Sequence, residues 1–400
     1  MTPTPEKSAA RGWKGRLALL LFTLVVTVGF AELALRLIGY RVPELVTASL
    51  RRTYRANPGA EFVYKGYLEG AFSDFANPVR LNDQGFHDVD HSLERTNART
   101  FRVLVIGDSY VAALSVPLEQ TFFRRLEARL NREKPLGCGN YEVIAMGRGN
   151  QGQEKELAYL RDPALAYAPD VVLLLFFCGN DIMENGAKTY KQAQVFAEHY
   201  KQDLAPRKEA LFRRLMIVPG SRLNGLLAEV ATMYYAKNLH RFVRGIRPED
   251  LVSPELGVYA TPPAPEWERA YARTSELLAE MRDACERLGA PLHVAILSGP
   301  QAIGDVGMDR AVTPATAGFD PGRPEHFVTD WCSTQRVPCV SLAPALVRAG
   351  KRHVFWRHDG HLNPVGNEAI VEPIYGLLTN SPSVRAAAAR RCAAGHLPAS

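Results

Sequence analysis

The 400-residue chain is 46% hydrophobic and 22% charged, so it holds enough apolar side chain for a full core and is not a disordered polymer. Its net charge of +6 comes partly from basic residues beside an apolar segment and from Arg385, Arg390 and Arg391 near the end, a distribution that implies no nucleic-acid partner. The six cysteines form no Cys-x-x-Cys pair or His-Cys cluster, which argues against a metal site, and no cofactor is expected.

Lys7, Arg11, Lys14 and Arg16 mark residues 1–16 as a basic cytoplasmic segment. An apolar run follows from Leu17. Its uncharged part, to Ala31, is short for a span needing about 20 residues, but continuing the helix through Glu32 and Arg36 to Ile38 supplies the length. Glu32 and Arg36 are four apart and can pair, and the arginine can snorkel to an interface. No small-x-small cleavage site follows Ala31, so 17–38 reads as an uncleaved transmembrane anchor rather than a signal peptide. Positive charge on its N-terminal side places the rest of the chain outside the cytoplasm, on the periplasmic face of the inner (cytoplasmic) membrane.

After a leading segment, 39–98, the domain 99–380 opens with Phe101–Ile106, a β-branched apolar strand that breaks at Gly107 and delivers Asp108 and Ser109. Residues Leu118–Leu130 read as a helix with Phe122, Phe123, Leu126 and Leu130 on one face. Tyr141–Met146 is a shorter strand opening into a glycine-rich loop, Gly147 to Gly152. Asp170–Phe177 is a second buried strand, ending in Gly179 and Asn180. Far more chain follows than one crossover needs: an insertion over 186–265, in which Gln192–Ile246 reads as helices broken at Pro206 and Pro219–Gly220. Tyr234, Tyr235 and Tyr259 can stack on sugar rings, though a place in the core is the preferred reading. A helix over Trp267–Leu288 then leads to the strand Leu292–Leu297. Gly299–Pro324 reads as a long loop able to act as a lid, Val337–Leu342 as the last strand, and 381–400 as a tail that is either a helical end or frayed. Cys332 and Cys339 flank a short loop and are a candidate disulfide, while Cys178 reads as a buried small hydrophobe.

The chemistry lies in the polar residues at the strand ends. Gly-Asp-Ser is an ordinary helix cap, and alone the tripeptide is weak. Near the end of the chain, however, Asp359 stands two residues before His361, which lets the carboxylate accept from one ring nitrogen and leaves the other to take a serine proton. His353 and His358 lack a carboxylate at that spacing. Asn180 can donate its amide to an oxyanion. These groups all follow apolar strands or precede helices, where α/β sheets collect their sites.

Four blocks in order, Ile106 to Ser109, Gly147 to Gly152, Gly179 to Asp181 and Asp359 to Asn363, resemble those of the GDSL-type, or SGNH, serine hydrolases. Arg80 to Asp88 is similar to the leading segment of their membrane-anchored bacterial branch. The resemblance spans Arg80 to Leu378. It implies a flavodoxin-like three-layer α/β/α sandwich with a central parallel sheet, Ser109, His361 and Asp359 as catalytic triad, and Ser109, Asn150 and Asn180 as oxyanion hole. Two features depart from the family. Asn150 stands where a glycine is usual, and the acid and base are two apart, a spacing similar to the alginate O-acetyltransferase branch. The expected activity is that of a membrane-anchored serine esterase on acyl esters, O-acetyl groups of envelope carbohydrate in particular. The alternatives are a carbohydrate O-acetyltransferase fed by a membrane acyl-donor partner, and a non-catalytic carbohydrate-binding or assembly protein.

Overall fold

A computed structural model describes residues 9–38, 58–65, 75–95, 97–149, 151–162, 166–186, 223, 254–300, 302–303, 318, 320–350, 354–356 and 359–393. The chain divides into two compact units. One comprises Met1–Leu45, Glu69–Phe72 and Tyr200–Pro248, the other the remainder.

The first unit contains helix α1, Ala9–Leu37. Its Gly15–Leu37 stretch has a mean hydropathy of 2.3 and is long and apolar enough to cross a membrane. Apolar side chains such as Leu20, Phe22, Val25 and Phe30 are exposed along it. The Thr23 and Thr27 hydroxyls donate to the carbonyls of Leu19 and Thr23, so each polar side chain is satisfied within the helix. Arg36 and Glu32 pair at 2.9 Å, as their spacing predicts.

The second unit is built on a five-stranded, wholly parallel sheet. Its strands are β3 (Thr100–Gly107), β4 (Asn140–Gly147), β5 (Val171–Phe177), β6 (Leu292–Leu297) and β7 (Cys339–Ser341), in the order β4-β3-β5-β6-β7. This is the flavodoxin-like order with helices on both faces. The strand residues explain it. Alternate side chains of β5 enter opposite cores, Val171, Leu173 and Leu175 on one face and Val172, Leu174 and Phe176 on the other, so an unbroken apolar run is what a doubly covered strand requires.

The first face is covered by α3 (Phe122–Glu133), α10 (Val371–Asn380) and α11 (Pro382–Ala393), the second by α4 (Gln153–Arg161), α5 (Asp181–Gly186), α6 (Pro265–Arg287) and α7 (Arg323–Gln335). A short hairpin of β1 (Glu61–Lys65) and β2 (Ala76–Arg80) precedes the sheet. Among the described residues the remaining α-helices are α2 (Ser109–Ala112), α8 (Ala343–Ala349) and α9 (Pro364–Ala369).

Several boundaries differ from the sequence reading. The stretch from Leu118 begins as a short 3-10 turn, because Thr121 interrupts it as the N-cap of α3 and accepts from the Arg124 N–H. Residues 382–393 take the helical alternative read for the tail, and Val384, Ala387 and Ala388 of α11 lie in the core. The disulfide is Cys138–Cys392, not the short-loop pair; Cys332 and Cys339 are free thiols, and Cys178 is buried as expected. Tyr259 is a core residue, as preferred. Tyr234, Tyr235, the helices read over Gln192–Ile246 and most of the Gly299–Pro324 loop lie outside the described residues.

The bridge ties α11 to the segment after α3, and Cys392 lies against Arg99 at the start of β3, the end of the sheet away from Ser109. Cys138→Ser is expected to lower unfolding stability by about 2–5 kcal/mol, because the bond closes a long loop. Denaturant unfolding with and without reductant checks this. A wild-type transition that reductant leaves unmoved contradicts it.

Candidate active site

Ser109 and Asn180 follow β3 and β5, the adjacent strands at which the sheet order reverses. In open parallel sheets this crevice beyond the carboxyl ends of the strands is where ligands bind. Two glycines make it tight. A Cβ on Gly107 would meet Val111 Cγ2 at 2.5 Å, and one on Gly147 would meet the Ala112 N at 2.2 Å, so only glycine lets α2 fold back onto the ends of β3 and β4.

Asp108 is the N-cap of α2, its carboxylate accepting from the Tyr110 N–H at 2.9 Å, as the plain capping reading of Gly-Asp-Ser expects. That leaves the partly exposed Ser109 as first residue of the helix. Burial raises the pKa of Asp108; the Tyr110 N–H, His361, the Asn180 side chain and the Ser109 N–H oppose the rise.

Asp359 and His361 stand on a short turn. Phe355 and Leu362 form an antiparallel bridge, Trp356 N–H donates to the His361 carbonyl at 2.8 Å, and Gly360 takes φ +82° at the tip. Within this turn Asp359 Oδ1 accepts from His361 Nδ1 at 2.6 Å and from the His361 N–H at 3.3 Å. Asn363 then caps α9 by accepting from the Val365 and Gly366 N–H groups. Burial disfavours the imidazolium, but the hydrogen bond and charge of Asp359 and the charge of Asp108 outweigh it, and the pKa of His361 lies above its ordinary 6.5. About a quarter of its side chain is exposed, while Asp359 is 2% exposed.

Tyr110 joins the two segments. Its hydroxyl donates to the Gly360 carbonyl at 2.9 Å, and its ring centroid lies 5.0 Å from that of His361 and 4.2 Å from that of Phe177. A second strap runs from the Ser115 hydroxyl to the Leu362 carbonyl, 3.2 Å. The structure thus brings Asp359 and His361 into direct contact and fixes their turn against the residue next to Ser109. Among the described residues no hydrogen bond joins Ser109 to His361. Asn150, His353 and His358 lie outside the described residues. The sequence does not single out Tyr110. Only the contact with Gly360, 250 positions away, gives the tyrosine its role, and spacing carries no signal of that kind.

The chain is similar to solved lipolytic and acyl-ester hydrolases. TesA aligns at 14% identity and TM-score 0.36, over 69% of this chain and 97% of that one. The acetyl xylan esterase AlAXEase aligns at 12% identity and TM-score 0.36, over 69% and 98%. For a G-D-S-L family lipolytic protein from Veillonella parvula the values are 10%, 0.37, 70% and 100%. No protein-family model matches the sequence. No curated protein matches it either.

Proposed function

We propose that the chain is a membrane-anchored serine esterase that removes acyl groups, O-acetyl groups in particular, from envelope carbohydrate. The observation that carries this is the short Asp359–His361 bond, held by Tyr110 against the segment that presents Ser109. In the mechanism, His361 Nε2 takes the proton of Ser109 as its oxygen attacks the ester carbonyl, and Asp359 holds the Nδ1–H tautomer. The tetrahedral oxyanion is stabilised by the Ser109 and Asn150 N–H groups and the Asn180 amide. Collapse expels the alcohol, which receives the proton from imidazolium. Water, activated by the same imidazole, then attacks the acyl-serine and releases the acid.

Helix α1 serves as the anchor, and its basic N-terminal flank keeps that end cytoplasmic. The Cys138–Cys392 disulfide fits an oxidising compartment on the opposite side. The two-residue spacing of Asp359 and His361 keeps transfer to a sugar hydroxyl as the second reading.

Full-length protein in detergent is expected to release acetate from an activated acetyl ester and to be labelled by a serine-directed phosphonate. An inert, unlabelled protein would contradict the esterase reading. With an oligosaccharide acceptor present, mass spectrometry separates hydrolysis from transfer: acetylated oligosaccharide would replace esterase by transferase.

A further inference from the structure

Beneath the Asn180 turn lies a group of buried acids that the mechanism leaves unused. Glu156 on α4 and Asp181 at the start of α5 are both 0% exposed. They converge on one atom: Gln153 Nε2 donates to Asp181 Oδ2 at 2.8 Å and lies 3.3 Å from Glu156 Oε2. Asp181 Oδ2 also accepts from the Phe177 N–H at 2.9 Å, at the end of β5. The Gln153 carbonyl oxygen accepts from Asn185, whose amide also donates to the Thr274 hydroxyl of α6. Through these bonds, Gln153 and Asp181 tie the start of α4, which follows the glycine loop, to the turn carrying Asn180.

The second oxygens of the two acids, Glu156 Oε1 and Asp181 Oδ1, are buried without a partner. The charged groups facing them are acidic. Asp108 approaches from the turn between β3 and α2, and Glu184 from α5. Among the described residues no Lys, Arg or His pairs with either acid. Two carboxylates in such a site cannot both stay ionised, because burial strips each of water and each repels the other. Desolvation first, and then the neighbouring acid charges, accordingly push both acids well above the ordinary carboxylate range.

We propose that Glu156 and Asp181, which converge on Gln153 Nε2, hold a single proton between them, and that this acid pair positions the glycine loop and the Asn180 turn over Ser109. One proton removes one of the two buried charges and makes one of the acids a donor, as in other buried carboxyl dyads. The positioning role rests on the esterase reading; the shared proton does not.

Infrared difference spectra of the full chain in detergent, at mildly alkaline pH, count the proton. Wild type minus Glu156→Gln/Asp181→Asn is expected to show one protonated carboxyl stretch and one ionised carboxylate. Two ionised or two protonated groups would overturn the proposal. If the double variant does not fold, the pH dependence of Glu156→Gln stability carries the test. An acid whose pKa is raised by folding costs stability as pH rises. The melting temperature of Glu156→Gln relative to wild type is therefore expected to climb with pH, and a constant difference would overturn the pair. For positioning, Glu156→Ala is expected to lower kcat about 10–100-fold at little change in KM, with Glu156→Gln recovering most of it; unchanged kcat in Glu156→Ala overturns that role. Expected spectra with no ester turnover by any protein would remove the esterase reading and leave the shared proton standing.

Discussion

Ser109→Ala is expected to abolish turnover of an activated acetyl ester and labelling by a serine-directed phosphonate. Loss of the serine from a Ser-His-Asp unit costs about 10⁶-fold in kcat, because His361 and Asp359 have no other nucleophile to activate. The fold should not notice. The Ser109 side chain is partly exposed, the Asp108 cap bonds the Tyr110 N–H rather than the serine hydroxyl, and Tyr110 still reaches Gly360. A change of this kind falls within about 0.5 kcal/mol. Wild-type and variant melting curves should therefore superimpose while their rates differ by about 10⁶-fold, binding and oxyanion stabilisation alone leaving the variant about 10³–10⁴-fold above the uncatalysed reaction. Equal rates would show that this hydroxyl is not the nucleophile. Labelling that survives in the variant would point to another serine, and Ser115 is a poor substitute because it is buried and committed to the Leu362 carbonyl.

The parts of this site that could be read from sequence are the local ones. A β-branched run ending in Gly107 signals a buried strand with a sharp exit, and Asp359 two residues before His361 is close enough to bond within one turn. Contacts between distant segments left no such trace. Cys138 and Cys392 are separated by 254 positions, whereas Cys332 and Cys339 invite pairing only by being near in sequence. Glu156, on a helix rich in charge, looks like part of a solvated face; it is buried because α4 turns that residue, with Leu157 and Leu160, toward the sheet. The Ala/Arg-rich end reads as helical or frayed, and the narrow apolar stripe of Val384, Ala387 and Ala388 leaves its packing to be revealed by the core.

The second large effect concerns the acid. Asp359→Asn is expected to lower kcat about 10⁴-fold, the size of the loss when an amide replaces the carboxylate of a serine triad. An amide N–H facing Nδ1 stabilises the tautomer protonated on Nε2, which cannot accept the proton of Ser109. The same substitution should move the pH profile. His361 works as a base only when neutral, so kcat/KM of the wild type rises through an acid limb set above pH 6.5 by the Asp359 bond and charge against the opposing effect of burial. Removing the carboxylate leaves burial opposed only by Asp108, and the limb shifts to lower pH. Stability follows the complementary sign. A histidine whose pKa is raised on folding contributes stability that is present below pH 6.5 and is lost as pH rises through the folded value. While Asp359 is ionised, the wild type should therefore exceed the variant in stability most in mildly acid solution, and the gap should narrow toward alkaline pH. Rates and melting temperatures measured on both proteins across that range test the pair. An unmoved limb together with a kcat loss below about tenfold would mean that Asp359 does not govern the imidazole during turnover, however short their bond.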